Sequence, residues 1–132
     1  MQLVILYIAT AVVFLALDVV GLKNILRPLF ERHIGELLVD GFRFVPALVF
    51  YLFYIAGLLY FVSWPALKSG APVQALLGGA LFGALTYGTY EFTNYATLKA
   101  WSPQMVAVDM VWGICLTGVS AWAGVMIARA VS

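Results

Sequence analysis

Three carboxylic acids, Asp18, Glu91 and Asp109, lie inside long apolar stretches of this chain. A charge at the centre of a membrane-spanning helix costs about 2.5–3.5 kcal/mol on insertion scales, so acids in this position mark candidate functional sites. Carboxyl groups there can bind a proton, hold a cation, or accept hydrogen bonds that fix helix packing. The apolar stretches contain no lysine or arginine, so partners for these acids must come from polar uncharged side chains or water.

Hydrogen-bonding side chains are concentrated around Glu91. Tyr87, Glu91 and Asn94 share one face of a helix at spacings of four and three residues, and Tyr90 and Thr93 lie on the adjoining face. Such groups need partners inside the protein or a wet cavity when water is absent. The set predicted to bind a ligand or protons is Asp18, Tyr51, Tyr54, Tyr87, Tyr90, Glu91, Thr93, Asn94, Asp109 and Trp112.

The composition identifies the class of protein that carries these acids. The chain has 132 residues, of which 64% are hydrophobic and 10% charged, and its mean hydropathy is +1.03. These values lie far outside the soluble range and indicate an integral membrane protein. The net charge of +1 and the scattered basic residues exclude a nucleic-acid-binding surface.

Metal and cofactor sites are not expected. The single cysteine, Cys115, excludes an intramolecular disulfide and a cysteine-based zinc site. A metal site made by the three acids with His33 has no motif spacing behind it. The chain also lacks nucleophile-elbow, zinc-protease, phosphate-loop and dinucleotide motifs, so no catalytic residue is assigned and the sequence favours a non-enzymatic protein.

Four stretches are long enough to cross a hydrocarbon core of about 30 Å, at residues 3–22, 44–67, 73–98 and 104–128. Between the first two, residues 28–40 place apolar and charged side chains on opposite faces, which is typical of an interfacial amphipathic helix. Ser102 is a predicted N-cap for the last helix. We therefore predict a single all-α domain, a four-helix transmembrane bundle with one interfacial amphipathic helix between the first and second spans.

The distribution of basic residues predicts the orientation of this bundle. The side of the membrane that holds the first and third connections has five basic residues, Lys23, Arg27, Arg32, Arg43 and Lys99. The opposite side has two, Lys68 and Arg129. The positive-inside rule then places both termini in the periplasm of a bacterial inner membrane, with the amphipathic helix in the cytoplasm. All three acids are predicted to lie at a similar depth in the cytoplasmic half.

The chain resembles a family of small, uncharacterised bacterial proteins predicted to lie in the inner membrane, a domain-of-unknown-function group. The resemblance rests on a Y-x-x-Y-[DE]-x-T-N-x-A-T-L pattern over residues 87–98 together with Trp101, on Val108-Asp109-x-x-Trp112-Gly113, and on shorter matches elsewhere that extend it over nearly the whole chain. That family usually has Asp at the position of Glu91 and Trp at the position of Gly21. The resemblance implies a topology and candidate residues, without a reaction, and the longer acid favours proton binding over a tight metal geometry.

Three functions remain open from the sequence. In the first, the acid and tyrosine cluster binds or transports a small amphiphilic or cationic molecule. In the second, the chain is a lipid-modifying enzyme or the membrane subunit of one. In the third, the amphipathic helix recruits a soluble partner. The acids are alternatively only structural, with hydrogen bonds that fix helix register. We expect membrane lipids as partners and a small-molecule ligand, and a homodimer if a transport path exists, because one chain of this size encloses little volume.

Overall fold

The computed structural model describes residues 1–131, which form helices and no β-strand. Four helical rods result, and this confirms the predicted all-α bundle. The first rod joins α1 (Gln2–Gly21), a π-helical turn (Leu22–Leu26), α2 (Arg27–Ile34) and a 3₁₀ turn (Gly35–Leu37); the second joins α3 (Phe44–Leu58), a π-helical turn (Leu59–Ser63) and α4 (Trp64–Ser69); the third is α5 (Pro72–Thr97) and the fourth is α6 (Pro103–Val131).

Three of the rods are long and apolar enough to span a membrane, namely Gln2–Leu37, Phe44–Ser69 and Pro103–Val131. The remaining helix, α5, has 26 residues and is therefore long enough, but it is less apolar than the others. The polar residues around Glu91 lower its hydropathy. The most polar of the four rods is thus the one that carries the candidate site.

Two prolines shape the first two rods. The π-helical turns end two residues before Pro28 and Pro65, respectively. Proline lacks an N–H donor and its ring clashes with the carbonyl four residues earlier, and a wider turn relieves both problems without ending the helix. The predicted separate helix over 28–40 is therefore wrong in its bounds: α2 continues directly from α1 and ends at Ile34.

The amphipathic segment packs onto the bundle. Leu29 and Ile34 of α2 are buried against Trp101, Met105 and Val106, at the start of α6. The α6 N-terminus is capped as predicted, because the Ser102 hydroxyl accepts the backbone N–H groups of residues 104 and 105 at 3.0 and 3.4 Å. We call this end of the bundle, with α2 and the connection 98–102, the α2 end, and the opposite end, with α4, the α4 end.

Helix α6 lies at the centre and packs against both α5 and α1. Glycines allow the closest approach: a Cβ on Gly83 would overlap the backbone carbonyl of Gly113, and a Cβ on Gly113 would overlap the ring of Tyr87. Helices α5 and α6 are antiparallel. A step of four residues forward along α5 from Tyr87 therefore matches a step of four residues backward along α6 from Gly113. That step places Glu91 opposite Asp109.

Candidate functional site

Glu91 and Asp109 form the centre of the site. Glu91 is completely buried and Asp109 is 6% exposed. Their carboxyl groups lie close enough to interact, as the helix register allows. An ionised carboxylate only accepts hydrogen bonds, so a bond between two carboxyl groups needs a proton on one of them. A direct hydrogen bond between Glu91 and Asp109 is therefore possible only when the pair carries a proton.

Trp101 closes the site at the α2 end. Its Nε1–H donates to Oε1 of Glu91 at 2.9 Å, whereas Oε2 of Glu91 is buried without a hydrogen-bond partner of the ordinary donor–acceptor kind among residues 1–131. The indole packs edge-on against Phe30 and Tyr90, with ring centroids 5.4 and 5.7 Å away. Trp101 is not among the residues that the sequence predicts for the site, so this contact was missed. Its place ten residues after Glu91, beside the next helix, was the available signal.

Asp18 forms the second part of the site on α1. It is 3% exposed and accepts the Nε1–H of Trp112 at 3.4 Å. Tyr51 from α3 also lies close to Asp18. Gly21 is needed here, because a Cβ at this position would overlap the indole ring of Trp112.

Tyrosines connect the two acid groups to the middle of the bundle. Tyr87 lies over Gly113 and is near both Asp18 and Asp109. The Tyr54 hydroxyl is 3.0 Å from the hydroxyls of Thr86 and of Thr117, and only 7% of the Tyr54 residue is exposed. These contacts bring helices α3, α5 and α6 together around one polar centre.

Three predicted residues lie at the edge of the site or outside it. Tyr90 is 53% exposed and bonds to Asn94, so both belong to the rim near Trp101. Thr93 is exposed on a different face of α5 from Glu91, and its carbonyl accepts the hydroxyl of Thr97 at 2.8 Å. The structure thus brings together the remaining members of the predicted set and leaves Thr93 apart.

No basic side chain reaches the acids. All seven lysines and arginines are exposed, and the ion pair found in residues 1–131 is the surface pair Arg27–Glu31. The described residues contain no group of three His, Cys, Asp or Glu side chains arranged to hold a metal ion. The buried charges of the site are therefore of one sign, with neutral hydrogen-bond donors as their partners in the protein.

Comparison with protein families is informative once this geometry is known. The family described as predicted membrane protein (DUF2177) matches residues 3–126. The chain belongs to this family. Every acid, tyrosine and tryptophan of the site lies within the matched segment of this DUF2177 protein. The family's function is unknown, so membership supports the membrane class without assigning a reaction. No curated protein and no solved structure matches the chain.

Proposed function

We propose that this DUF2177 protein is a multi-pass inner-membrane protein whose acid and tyrosine cluster binds a small cationic or amphiphilic ligand in exchange for a proton. The observation that carries the proposal is the buried contact between Glu91 and Asp109, to which no lysine or arginine contributes. An acid pair inside a membrane protein that lacks an internal cation is suited to binding a mobile one.

Charge balance favours exchange over simple binding. An uncompensated charge in a low-dielectric interior is costly, so the pair with one proton is better tolerated than the pair with none. A cation that enters as the proton leaves keeps the net charge of the site constant. The proton bound between the two carboxyls then returns to water and the cation takes its place.

The aromatic side chains around the acids indicate which cation fits. Tyr51, Tyr87 and Trp112 lie around Asp18, and Trp101 lies beside Glu91. Aromatic rings attract quaternary ammonium groups through cation–π interactions, which strengthen when water is excluded. We therefore propose an ammonium or quaternary ammonium group, on a small molecule or on a lipid headgroup, as the ligand class.

Trp101 is the proposed point of access. It lies in the connection 98–102 between α5 and α6 and not inside either helix. Its displacement removes the donor from Glu91 and opens the α2 end of the site, at the cost of the ring contacts with Phe30 and Tyr90. In the proposed orientation this end is cytoplasmic and both termini are periplasmic, as the distribution of basic residues favours.

Isothermal titration calorimetry with benzyltrimethylammonium tests the proposal on the purified protein in mild detergent. Titrations in two buffers of different ionisation enthalpy give the number of protons released. We expect binding with proton release for the wild type, loss of binding for Glu91→Gln and Asp109→Asn, and unchanged binding for Glu36→Gln. Glu36 lies exposed in the 3₁₀ turn and is the matched control.

Near-UV circular dichroism establishes whether each variant is folded. Wild-type protein that does not bind benzyltrimethylammonium, or Glu91→Gln protein that binds it as tightly as wild type, contradicts the proposal. Unfolding of both acid variants instead supports a purely structural role for the pair. Native mass spectrometry of the same samples reports retained lipids and subunit number, and so tests the lipid and homodimer expectations.

A further inference from the structure

Three buried hydroxyl groups lie in the half of the bundle that points toward the α4 end. They belong to Thr10 on α1, Ser63 in the second π-helical turn and Ser120 on α6, and each residue is 0% exposed. None of their oxygens has a hydrogen-bond partner among residues 1–131. Buried hydroxyls without partners destabilise a fold, so these three require an explanation.

Other hydroxyls of the same chain follow the usual rule for membrane helices. Thr86 and Thr89 donate to carbonyls four residues earlier on α5, at 2.9 and 2.6 Å, and Thr97 does the same at 2.8 Å. The three unpartnered groups do not bond to their own helices in this way. Within the part of the chain that the structure describes, their hydroxyls are buried inside the bundle without a partner of this kind.

Two of the unpartnered groups meet at one stripe of α6, Ser120 from α6 itself and Thr10 from α1. The Thr10 hydroxyl occupies the space where a Cβ on Gly124 would lie, and Ser120 is one turn from Gly124 on the same face. Toward the α2 end this face continues through Thr117, which contacts the Tyr54 hydroxyl, and reaches the acid pair. Polar or small residues therefore line this face from Asp109 to Gly124.

Ser63 reaches the same level from the second rod. This rod runs in the same direction as α6, and Tyr54 contacts Thr117. Ser63 follows Tyr54 by nine residues and Met126 follows Thr117 by nine, so Ser63 and Met126 lie at a similar height in the bundle. Met126 is within one turn of Gly124. Hydroxyls from α1, α6 and the second rod thus converge in one layer.

We propose that these hydroxyls bind a file of water molecules that conducts protons between the acid pair and the α4 end of the bundle. The ligands of this site are water and the proton. Each hydroxyl can donate and accept, which is what relay of a proton along hydrogen-bonded water requires. The inference rests on the proposed function, because it supplies the route by which Glu91 and Asp109 exchange protons with the side opposite Trp101.

Proton flux into liposomes tests the path. The full chain is reconstituted with pyranine inside, a pH gradient is imposed, and potassium with valinomycin holds the membrane potential at zero. We expect wild-type flux above that of protein-free liposomes, and a fall to the protein-free rate in Thr10→Val and Ser120→Ala. Ser120→Thr keeps the hydroxyl and keeps the flux.

Thr89→Val is the matched control, because its exposed hydroxyl bonds to its own helix, and we expect wild-type flux. Thr10→Val and Ser120→Ala should still bind benzyltrimethylammonium with wild-type affinity, which shows that they are folded. Flux that persists in both variants, or wild-type flux equal to that of protein-free liposomes, overturns the path. A third outcome separates the two proposals. If the wild type does not bind benzyltrimethylammonium but conducts protons, and the flux is lost in Thr10→Val and Ser120→Ala, the path is supported and only the proposed ligand is contradicted.

Discussion

The hydrogen bond from Trp101 to Glu91 gives the most direct test of how the site is held together. Trp101→Phe keeps an aromatic ring beside Phe30 and Tyr90 but removes the N–H donor. Glu91 is completely buried, and among residues 1–131 Trp101 is its one N–H donor in the structure. The change therefore leaves both Glu91 oxygens without an N–H partner.

The expected loss can be estimated from the geometry. The bond is 2.9 Å long and buried, and hydrogen bonds to charged or acidic groups contribute about 1.5–3 kcal/mol. The smaller ring adds a packing loss that is unrelated to the bond. Measuring Trp101→Phe again in a Glu91→Leu background, where the acceptor is absent, isolates the bond as the difference between the two losses.

Reversible unfolding by SDS in mixed micelles, followed by near-UV circular dichroism, supplies the four free energies. We expect Trp101→Phe to cost about 1.5–3 kcal/mol more with Glu91 present than without it. Trp122→Phe, at a residue that is 39% exposed, should cost the same in both backgrounds. Equal losses for Trp101→Phe in the two backgrounds would refute the reasoning and leave Trp101 with a packing role alone.

Three further predictions use the same unfolding measurement. Gly83→Ala should cost about 1–3 kcal/mol, because its Cβ overlaps an α6 carbonyl, whereas Gly35→Ala should change stability by less than about 0.5 kcal/mol, since nothing lies within 4 Å. Gly70→Ala should cost about 1–2 kcal/mol, because this residue has a φ of 71°. Tyr54→Phe should cost about 1 kcal/mol through its lost hydroxyl contacts, and Tyr60→Phe, at a 75% exposed residue, less than about 0.5 kcal/mol. Equal effects within either matched pair, or a neutral Gly70→Ala, would contradict these assignments.

Much of the fold follows from the sequence because the bilayer constrains it strongly. A long apolar stretch in lipid must satisfy its backbone internally, so apolar stretches predict where the four rods lie. However, α5 is less apolar than the others, and the first rod continues beyond its apolar stretch to Leu37. The prolines were harder to interpret. Pro28 reads as a helix start in the sequence, but the helix continues through it by widening one turn, because burial of Leu29 and Ile34 against α6 favours continuation.

The site was predictable in its acids and less so in its partners. Glu91 and Asp109 are recognisable because charged residues are rare in apolar helices, and their pairing follows from antiparallel packing. Thr93 was included on helical spacing alone, but which face of α5 meets α6 is decided by the glycines at 79 and 83. Trp101 lies in a connection without periodicity, so helical spacing could not place its indole on Glu91.

The first rod has a mechanical consequence. Its 36 residues would extend about 54 Å as an ideal α-helix, well beyond a hydrocarbon core of about 30 Å, so part of it projects from the bilayer. The projecting segment contains Phe30, which touches the same indole that holds Glu91. Through Phe30 and through the packing of Leu29 and Ile34, a displacement of α2 would therefore reach the indole that donates to Glu91. Two aromatic rings thus link the first rod, beyond its apolar part, to the buried Glu91.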